Sequence, residues 1–332
     1  MSTDSPWHID EAAYPADDSW EARSAFLLRY AVLAPSSHNT QPWRFRLHND
    51  AVDIFADETR WLRSADADRR ELYISVGCAL ENLLIAGEHF GLEAEIAWFP
   101  TPGDPWWVAR LTWRHAPANS FWRAPEWFAA ITARHTNRQD FAIQPLPEAL
   151  KQALDESLAD PNVRLTLLED AEVRDAVEAL IVEADARLFA DPDWRKELGY
   201  WLSKGVFGTG WLMSRVASLA VTYLDMGKGV ARHDADRFEH AAVIGCLQLQ
   251  EVSPLRQVQA GQSFERLFLA ATHHGIQLQP MNQILQLPAL RDRLARLLDA
   301  EPASTQLMFR LGRADDEGHS PRRPLGDVLF DA

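Results

Sequence analysis

The chain has 332 residues, 47% of them hydrophobic, which is enough material for about two domains with substantial cores. Its formal net charge of −15 argues against a nucleic-acid-binding surface, because such a surface needs clustered Lys and Arg. The two cysteines, Cys78 and Cys246, form no CxxC pair, so neither a thiolate metal site nor a disulfide framework is expected.

The amino-terminal arm, residues 1–19, is acidic and polar. It lacks the basic and apolar regions of a secretory signal, and no apolar run reaches the roughly 20 residues of a membrane-spanning helix. We therefore expect a cytoplasmic protein that binds neither a membrane nor nucleic acid.

The first predicted elements are a helix and a hairpin. Apolar residues recur at helical spacing between Trp20 and Leu33. The sequence APSSHNTQPW, residues 34–43, ends this helix, because proline lacks an N–H and disfavours helix in the residue before it. Alternating residues at 44–47 and 51–55, on either side of a turn, predict a hairpin.

A longer helix is predicted from Arg69 to Phe90, because its apolar residues form one continuous stripe. Gly91 ends this helix, as glycine commonly does. Strands are then expected at 94–99 and 107–113.

The second half of the chain repeats part of this order. The sequences LENLLIAGEHFGLEAEI (80–96) and FERLFLAATHHGIQLQP (264–280) each read as an apolar helix, a glycine and an extended segment. The second helix is expected from Gly261 to His274, and a late strand at 307–312 corresponds to the strand near 108–113. We interpret this pattern as a diverged internal repeat; the alternative is a coincidence between two ordinary helix–strand pairs.

Residues 191–236 differ from both repeats. They contain Trp194, Trp201 and Trp211 and the glycine-rich sequence GVFGTG. A phosphate loop is weakly indicated, since no clear strand precedes these glycines and no GK[ST] follows them. We predict an aromatic-rich insertion that acts as a lid; the alternative is a helical pair packed on the core.

Two basic motifs stand out on this acidic chain, RHTNR at 134–138 and PRRP at 321–324. Arginine presents a planar set of donors that suits phosphate oxygens. Arg134 and Arg138 would share one face if they lay on a helical turn. The alternative is that these are surface arginines paired with acidic residues.

Together, the APSSHNTQPW turn, the two glycine-ended helices, RHTNR and RRPL resemble the nitroreductase family, and most closely its Acg-like flavoprotein branch. The resemblance covers roughly residues 20–330. Ordinary nitroreductases are homodimers with FMN at the subunit interface, and their arginine motif precedes the APSSHNTQPW-type motif. Here it follows the first repeat. The resemblance therefore implies an α+β, nitroreductase-like fold in which two diverged repeats, residues 20–125 and 126–332, are fused as a single-chain pseudo-dimer.

The same resemblance implies one FMN site built from four segments. Hydroxyl and amide groups of the turn would bond the polar edge of the flavin, and the prolines would keep the turn rigid; the alternative is a turn capped by its own side chains. In the family, the residues after the second helix approach the ring, and here Met281 and Asn282 replace the usual small or aliphatic residue and the usual acid. The implied contacts are Ser36, Ser37, Asn39, Gln41, Trp43 and Arg44; Arg134, Thr136, Asn137 and Arg138; Pro280, Met281 and Asn282; and Arg322 and Arg323.

The function implied is that of an FMN-dependent oxidoreductase that passes electrons from NAD(P)H to a nitroaromatic or quinone-like acceptor. No catalytic side chain is assigned, because the flavin carries the hydride chemistry. The alternative is a protein that sequesters or senses FMN behind the lid without NAD(P)H turnover. We expect a monomer that acts as an internal pseudo-dimer, with further dimerisation possible, and we assign no metal ligand.

Overall fold

A computed structural model describes residues 5–117, 122–206, 242–315 and 318–330. The first half of the chain forms a four-stranded antiparallel sheet with strand order β1-β2-β4-β3. Its elements are α1 (Trp20–Ala31), β1 (Trp43–Leu47), β2 (Ala51–Ala56), α2 (Arg70–His89), β3 (Leu92–Trp98) and β4 (Trp107–His115).

The second half forms another four-stranded antiparallel sheet, with strand order β5-β6-β8-β7. Its elements are α3 (Pro125–Ala133), α4 (Glu148–Glu156), β5 (Val163–Leu168), α5 (Ala171–Ala190), α6 (Pro192–Ser203), β6 (Val243–Leu249), α7 (Pro254–His273), β7 (Gln277–Pro280), α8 (Pro288–Leu297) and β8 (Thr305–Gly312).

The two sheets have the same topology, and in each a long helix connects the second strand to the third. The α+β class and the predicted internal repeat are thus confirmed. The expected helix at 261–274 begins earlier than predicted, at Pro254, because the side chain of Ser253 accepts a hydrogen bond from the N–H of Arg256 and caps it. Gly261 therefore lies inside α7 and does not begin it.

The long helices α2 and α7 pack directly against each other and join the two halves. A Cβ atom on Gly77 would lie 2.0 Å from the carbonyl oxygen of Val258, and one on Gly261 would lie 2.1 Å from that of Ile74. In each helix the contact glycine comes three residues after the residue whose carbonyl lies against the other glycine: Gly77 after Ile74, and Gly261 after Val258. The contact is therefore reciprocal, as in a two-fold dimer, and the pseudo-dimer arrangement is confirmed.

The carboxyl-terminal segment returns to the first half. The N–H of Phe45 in β1 donates to the carbonyl of Val328 at 2.8 Å, and the N–H of Phe330 donates to the carbonyl of Phe45 at 3.1 Å. This pairing covers the free edge of β1 and brings the PRRP motif beside the APSSHNTQPW turn. None of the helices in the described part of the chain is long and apolar enough to cross a membrane.

We predict that Gly77→Ala or Gly261→Ala destabilises the protein by roughly 1–3 kcal/mol or more, because a methyl group would force the two helix backbones apart. Gly326→Ala is the matched control, since nothing lies within 4 Å of the Cβ it would add. Urea unfolding measures the free energies. If Gly77→Ala and Gly326→Ala unfold alike, close approach at Gly77 does not matter to stability.

Candidate functional site

A cavity of about 300 Å³ lies between the two halves, beside the first turns of α2. Its walls come from the turn after α1, the RHTNR segment, the end of β7 with the residues after it, α5 and α6, and the carboxyl-terminal segment. Side chains of α2, α7 and β8 complete them. The lining residues are Pro35, Ser36, Ser37, His38, Asn39, Glu71, Ile74, Ser75, Cys78, His135, Thr136, Arg138, Asp185, Phe189, Trp194, Leu198, Phe264, Gln279, Pro280, Asn282, Gln283, Gln286, Leu307, Ser320 and Arg322.

The turn after α1 has an unusual backbone. His38, Asn39 and Gln41 all have left-handed conformations, with φ of 49°, 50° and 51°. Such conformations are costly for residues other than glycine and persist where surrounding contacts hold them. Here the Asn39 side-chain amide donates to the carbonyls of Val206 at 2.6 Å and Pro321 at 3.0 Å. Contacts from the second half of the chain therefore hold this turn of the first half against the cavity.

A buried acidic pair supports this turn from the start of α2. Glu71 accepts hydrogen bonds from the Ser37 hydroxyl and, at 2.8 Å, from Arg70. Asp66 accepts from the N–H groups of Glu71 and Leu72 at 2.8 and 2.9 Å and so caps α2. Burial, reinforced by the Glu71 charge, raises the pKa of Asp66 well above its usual value. We did not predict Glu71 from the sequence, although the stretch DADRRE, residues 66–71, carries a capping signal.

His38 lies at the cavity wall between opposite charges. Burial lowers the pKa of its imidazole, Glu71 opposes this shift and Arg138 adds to it. The ring is therefore uncharged at neutral pH and gives the cavity a polar group without a charge.

The RHTNR segment does not form the helical turn that would place both arginines on one face, because α3 ends at Ala133 and Arg134 has an extended backbone. Arg134 is fully buried and does not line the cavity. Its Nη2 donates to the carbonyl of Leu33 at 2.8 Å, and its Nε lies 3.6 Å from a carboxylate oxygen of Glu265. Thr136 and Arg138 line the cavity.

Asn137 also points away from the cavity, since its side-chain amide donates to the carbonyl of Asp315 at 2.6 Å. His135, which we did not single out from the sequence, lines the cavity instead.

The two arginines of the PRRP motif have different surroundings. Arg322 lines the cavity, and its Nη1 donates to Asn39 at 3.1 Å while its Nη2 donates to the Leu33 carbonyl at 3.0 Å. Its buried Nε has no hydrogen-bond partner within the described residues. Burial, together with the nearby charge of Arg134, lowers the pKa of Arg322 well below its usual value.

Arg323 turns away and holds the APSSHNTQPW segment in place. It donates to the Gln41 carbonyl at 2.8 Å and lies 3.4 Å from Asp57. Gln41 in turn accepts from the N–H of Arg323 at 2.7 Å. Both residues therefore support the site without lining it.

Three other predicted contacts lie outside the cavity lining. Trp43 is fully buried in the core of the first half. The guanidinium of Arg44 stacks over the Phe330 ring at 4.2 Å, so it does not reach toward a ligand. Met281 is buried in the core of the second half, whereas its neighbours Pro280 and Asn282 line the cavity. The structure thus brings together Ser36, Ser37, Asn39, Thr136, Arg138, Pro280, Asn282 and Arg322 out of the predicted set.

Part of the predicted lid forms an aromatic wall. Phe189 of α5 and Trp194 of α6 meet edge to face at 5.0 Å, and the Trp194 indole N–H donates to Gln286 at 3.0 Å. Trp201 is buried nearby but does not line the cavity. Residues 207–236, including Trp211, lie outside the described part of the chain, so only residues 191–206 of the predicted lid are placed.

The cavity belongs to one end of the pseudo-dimer. The link from α1 to β1 runs over residues 32–42, whereas the equivalent link from α4 to β5 runs only over 157–162 and holds no sequence like APSSHNTQPW. At that second end the carbonyl of Leu158 accepts hydrogen bonds from Ser263 and Arg266 of α7. The repeat has therefore kept its helix contact while the two ends have diverged.

The two ends also differ in buried charge. Glu81 and Glu265 each follow four residues after the contact glycine of their helix. Burial would raise the pKa of Glu81, but Arg123 at 2.7 Å and Arg266 at 3.1 Å outweigh it and lower the pKa to about 2. Burial raises the pKa of Glu265 to about 7, because Arg134 is more distant and compensates only in part.

The cavity combines four kinds of chemical group. Phe189, Trp194 and Phe264 offer aromatic surface, and serine, threonine and amide side chains offer hydrogen bonds. Arg138 and Arg322 offer positive charge, and two carboxyl side chains also line the cavity, Glu71 and Asp185. This combination suits a planar, polar ligand that carries an anionic group.

Comparisons with known proteins agree with the motifs. No family model matches the chain. It is 29% identical over 317 residues to the putative NAD(P)H nitroreductase acg of Mycobacterium tuberculosis, covering 91% of this chain and 93% of that protein. It is 27% identical over 313 residues to a second putative NAD(P)H nitroreductase of that organism, covering 91% and 90%. The predicted resemblance to the Acg-like branch of the nitroreductases is therefore confirmed over 91% of the chain.

Solved structures show more distant similarity. The FMN-dependent nitroreductase NfnB of Mycobacterium smegmatis, in complex with NADPH, is 19% identical with a TM-score of 0.43, covering 61% of this chain and 96% of NfnB. An iodotyrosine deiodinase bound to FMN and 3-iodo-L-tyrosine is 14% identical with a TM-score of 0.41, covering 60% and 95%.

We predict opposite effects for the two buried glutamates. Folded Glu265 keeps its proton up to about pH 7, whereas unfolded it ionises near its ordinary 4.5. Its contribution therefore lowers the stability of the wild type as pH rises from about 5 to 8, by on the order of 3 kcal/mol. Glu265→Gln should remove this fall.

Glu81→Gln is the matched comparison. Ionised Glu81 stabilises the folded state above its ordinary pKa of 4.5, so this variant should be less stable than wild type at both pH 5 and pH 8. Denaturant unfolding at the two pH values measures the differences. If the stabilities of the wild type and of Glu265→Gln change with pH in parallel, the pKa of Glu265 is not raised in the folded state.

Proposed function

We propose that the cavity binds FMN and that the chain is an FMN-dependent NAD(P)H oxidoreductase of the nitroreductase type. The observation that carries this proposal is convergence: parts of the three most specific motifs, Ser36 to Asn39, Thr136 with Arg138, and Arg322, meet at one cavity between the halves. The names of the sequence relatives, which are putative NAD(P)H nitroreductases, support the same function.

Two arginines of the motifs offer donors to a phosphate. Arg138 and Arg322 line the cavity together with two carboxyl side chains, Glu71 and Asp185, and Glu71 is already paired with Arg70 at 2.8 Å. Among the described residues the buried Nε of Arg322 has no hydrogen-bond partner, and burying an unpaired donor is costly. An anionic ligand group between Arg138 and Arg322 would therefore stabilise both the ligand and the site.

The remaining residues suit the ring of a flavin. Ser36, Ser37 and Asn282 would bond its polar edge, and Trp194 with Phe264 would cover its flat surface. Bound FMN would supply the hydride chemistry, while the chain binds, orients and shields it. The aromatic wall would also stack on a planar acceptor, for which we propose a nitroaromatic or a quinone.

One chain supplies both halves of this site, so we propose a monomer that acts as an internal pseudo-dimer and binds one FMN. Only one end of the helix pair carries the APSSHNTQPW turn. A cytoplasmic location follows from NAD(P)H as the electron donor.

We predict that the purified protein takes up about one FMN per chain and that NADPH or NADH bleaches the flavin absorbance under anaerobic conditions. A nitroaromatic or quinone added afterwards should restore it. A ratio near two contradicts the single site. Flavin that stays oxidised with both donors, yet bleaches with dithionite, contradicts turnover and favours the sequestering function, in which α6 closes the cavity to the nicotinamide.

We also predict that Arg138→Gln weakens FMN roughly ten- to a hundredfold, because a charge-assisted hydrogen bond contributes about 1.5–3 kcal/mol. Arg63→Gln is the control, since Arg63 is exposed and pairs with Glu58 away from the cavity. Fluorescence titration with FMN measures both. Arg134→Gln should instead lower the thermal stability, because Arg134 is buried against Glu265 and Phe268. Unchanged FMN affinity in Arg138→Gln would place the phosphate elsewhere.

A further inference from the structure

The amino-terminal arm reaches the wall of the cavity through one side chain, Trp7. The indole N–H of Trp7 donates to the carbonyl of Ser320 at 3.1 Å. The centroid of its ring lies 4.5 Å from the guanidinium carbon of Arg322 and 4.2 Å from the centroid of the His319 ring. One residue of the arm thus contacts three of the four positions from His319 to Arg322.

Arg322 is held between this tryptophan and the APSSHNTQPW turn. Its guanidinium donates to Asn39 and to the Leu33 carbonyl at 3.1 and 3.0 Å. The guanidinium carbon also lies 4.5 Å from the centroid of the Trp7 ring. A long arginine side chain has many rotamers, and a stacked aromatic ring restricts them while it favours the charged form.

The contact continues to the cavity through a second path. The His319 ring, which touches Trp7, lies 5.6 Å from the ring of His135, and His135 lines the cavity. Trp7 itself does not line it, so any effect of Trp7 on a ligand must pass through these neighbours.

We propose that Trp7 is a positioning residue that fixes Arg322 for the anionic group of the ligand, so that the amino-terminal arm is a working part of the site. This inference rests on the proposed FMN function. The inference predicts that Trp7 strengthens the binding of a flavin that carries a phosphate and has no effect on the binding of a flavin without one.

The test compares FMN with riboflavin, which has the same ring system but no phosphate. Trp7→Ala should weaken FMN by roughly three- to thirtyfold, the range of an aromatic–cation contact of intermediate burial, and leave riboflavin affinity unchanged. Trp7→Phe keeps an aromatic face and loses the N–H, so it should restore most of the FMN affinity. In a double-mutant cycle, Trp7→Ala should add little to Arg322→Gln.

Trp122→Ala is the matched control, because Trp122 also stacks over an arginine, Arg123 at 4.4 Å, but away from the cavity. It should change neither affinity. If Trp7→Ala weakens FMN and riboflavin equally, Trp7 is only a packing residue and the inference is overturned. If it weakens neither, the contact has no consequence, and the inference is also overturned. A wild-type chain that binds neither flavin overturns the proposed function, and the positioning role with it.

Discussion

The close approach of α2 and α7 is the contact on which the rest of the structure depends. Gly77 and Gly261 let each backbone touch the carbonyl of the other helix, at Val258 and Ile74. Because the two helix backbones touch at these points, the helices cannot shift relative to each other without a clash. The contact therefore sets the relative position of the two halves. The cavity lies between these halves, so its shape follows from that position. A chain with larger residues at these glycines would have to separate the walls of its own site.

Around this symmetric contact the two ends have become different. At the second end, Glu81 and Glu88 face Arg123 and Arg266, which balances the buried charge. At the cavity end, Arg134 and Arg322 face Glu265 as their buried carboxylate. Both of these arginines also donate to the same carbonyl, that of Leu33. Arg322 also lines the cavity, so the arginine pair that distinguishes this end lies where the proposed function places an anionic ligand group.

The site could be predicted from sequence at the level of segments more reliably than at the level of residues. The APSSHNTQPW turn, the RHTNR motif and the PRRP motif all reach the cavity region. They could be recognised from the sequence because proline and clustered arginines are local signals. The sequence did not indicate which arginine of each motif lines the cavity. Arg138 and Arg322 do, whereas Arg134 and Arg323 are taken up by Glu265 and by Asp57 with Gln41. Burial and partners decide this, and both come from distant parts of the chain.

By itself, the sequence determined the elements whose signals are local: the apolar periodicity of α1 and α2, the hairpin, the turn and the repeat of helix, glycine and strand. The tertiary structure alone decided that Glu71 supports the turn through Ser37, that Gly261 is a contact point inside α7, and that Trp7 lies on Arg322. These pairs are separated by up to hundreds of residues, and no periodicity connects them. They meet only because the packed helices and the returning carboxyl-terminal segment bring their backbones together.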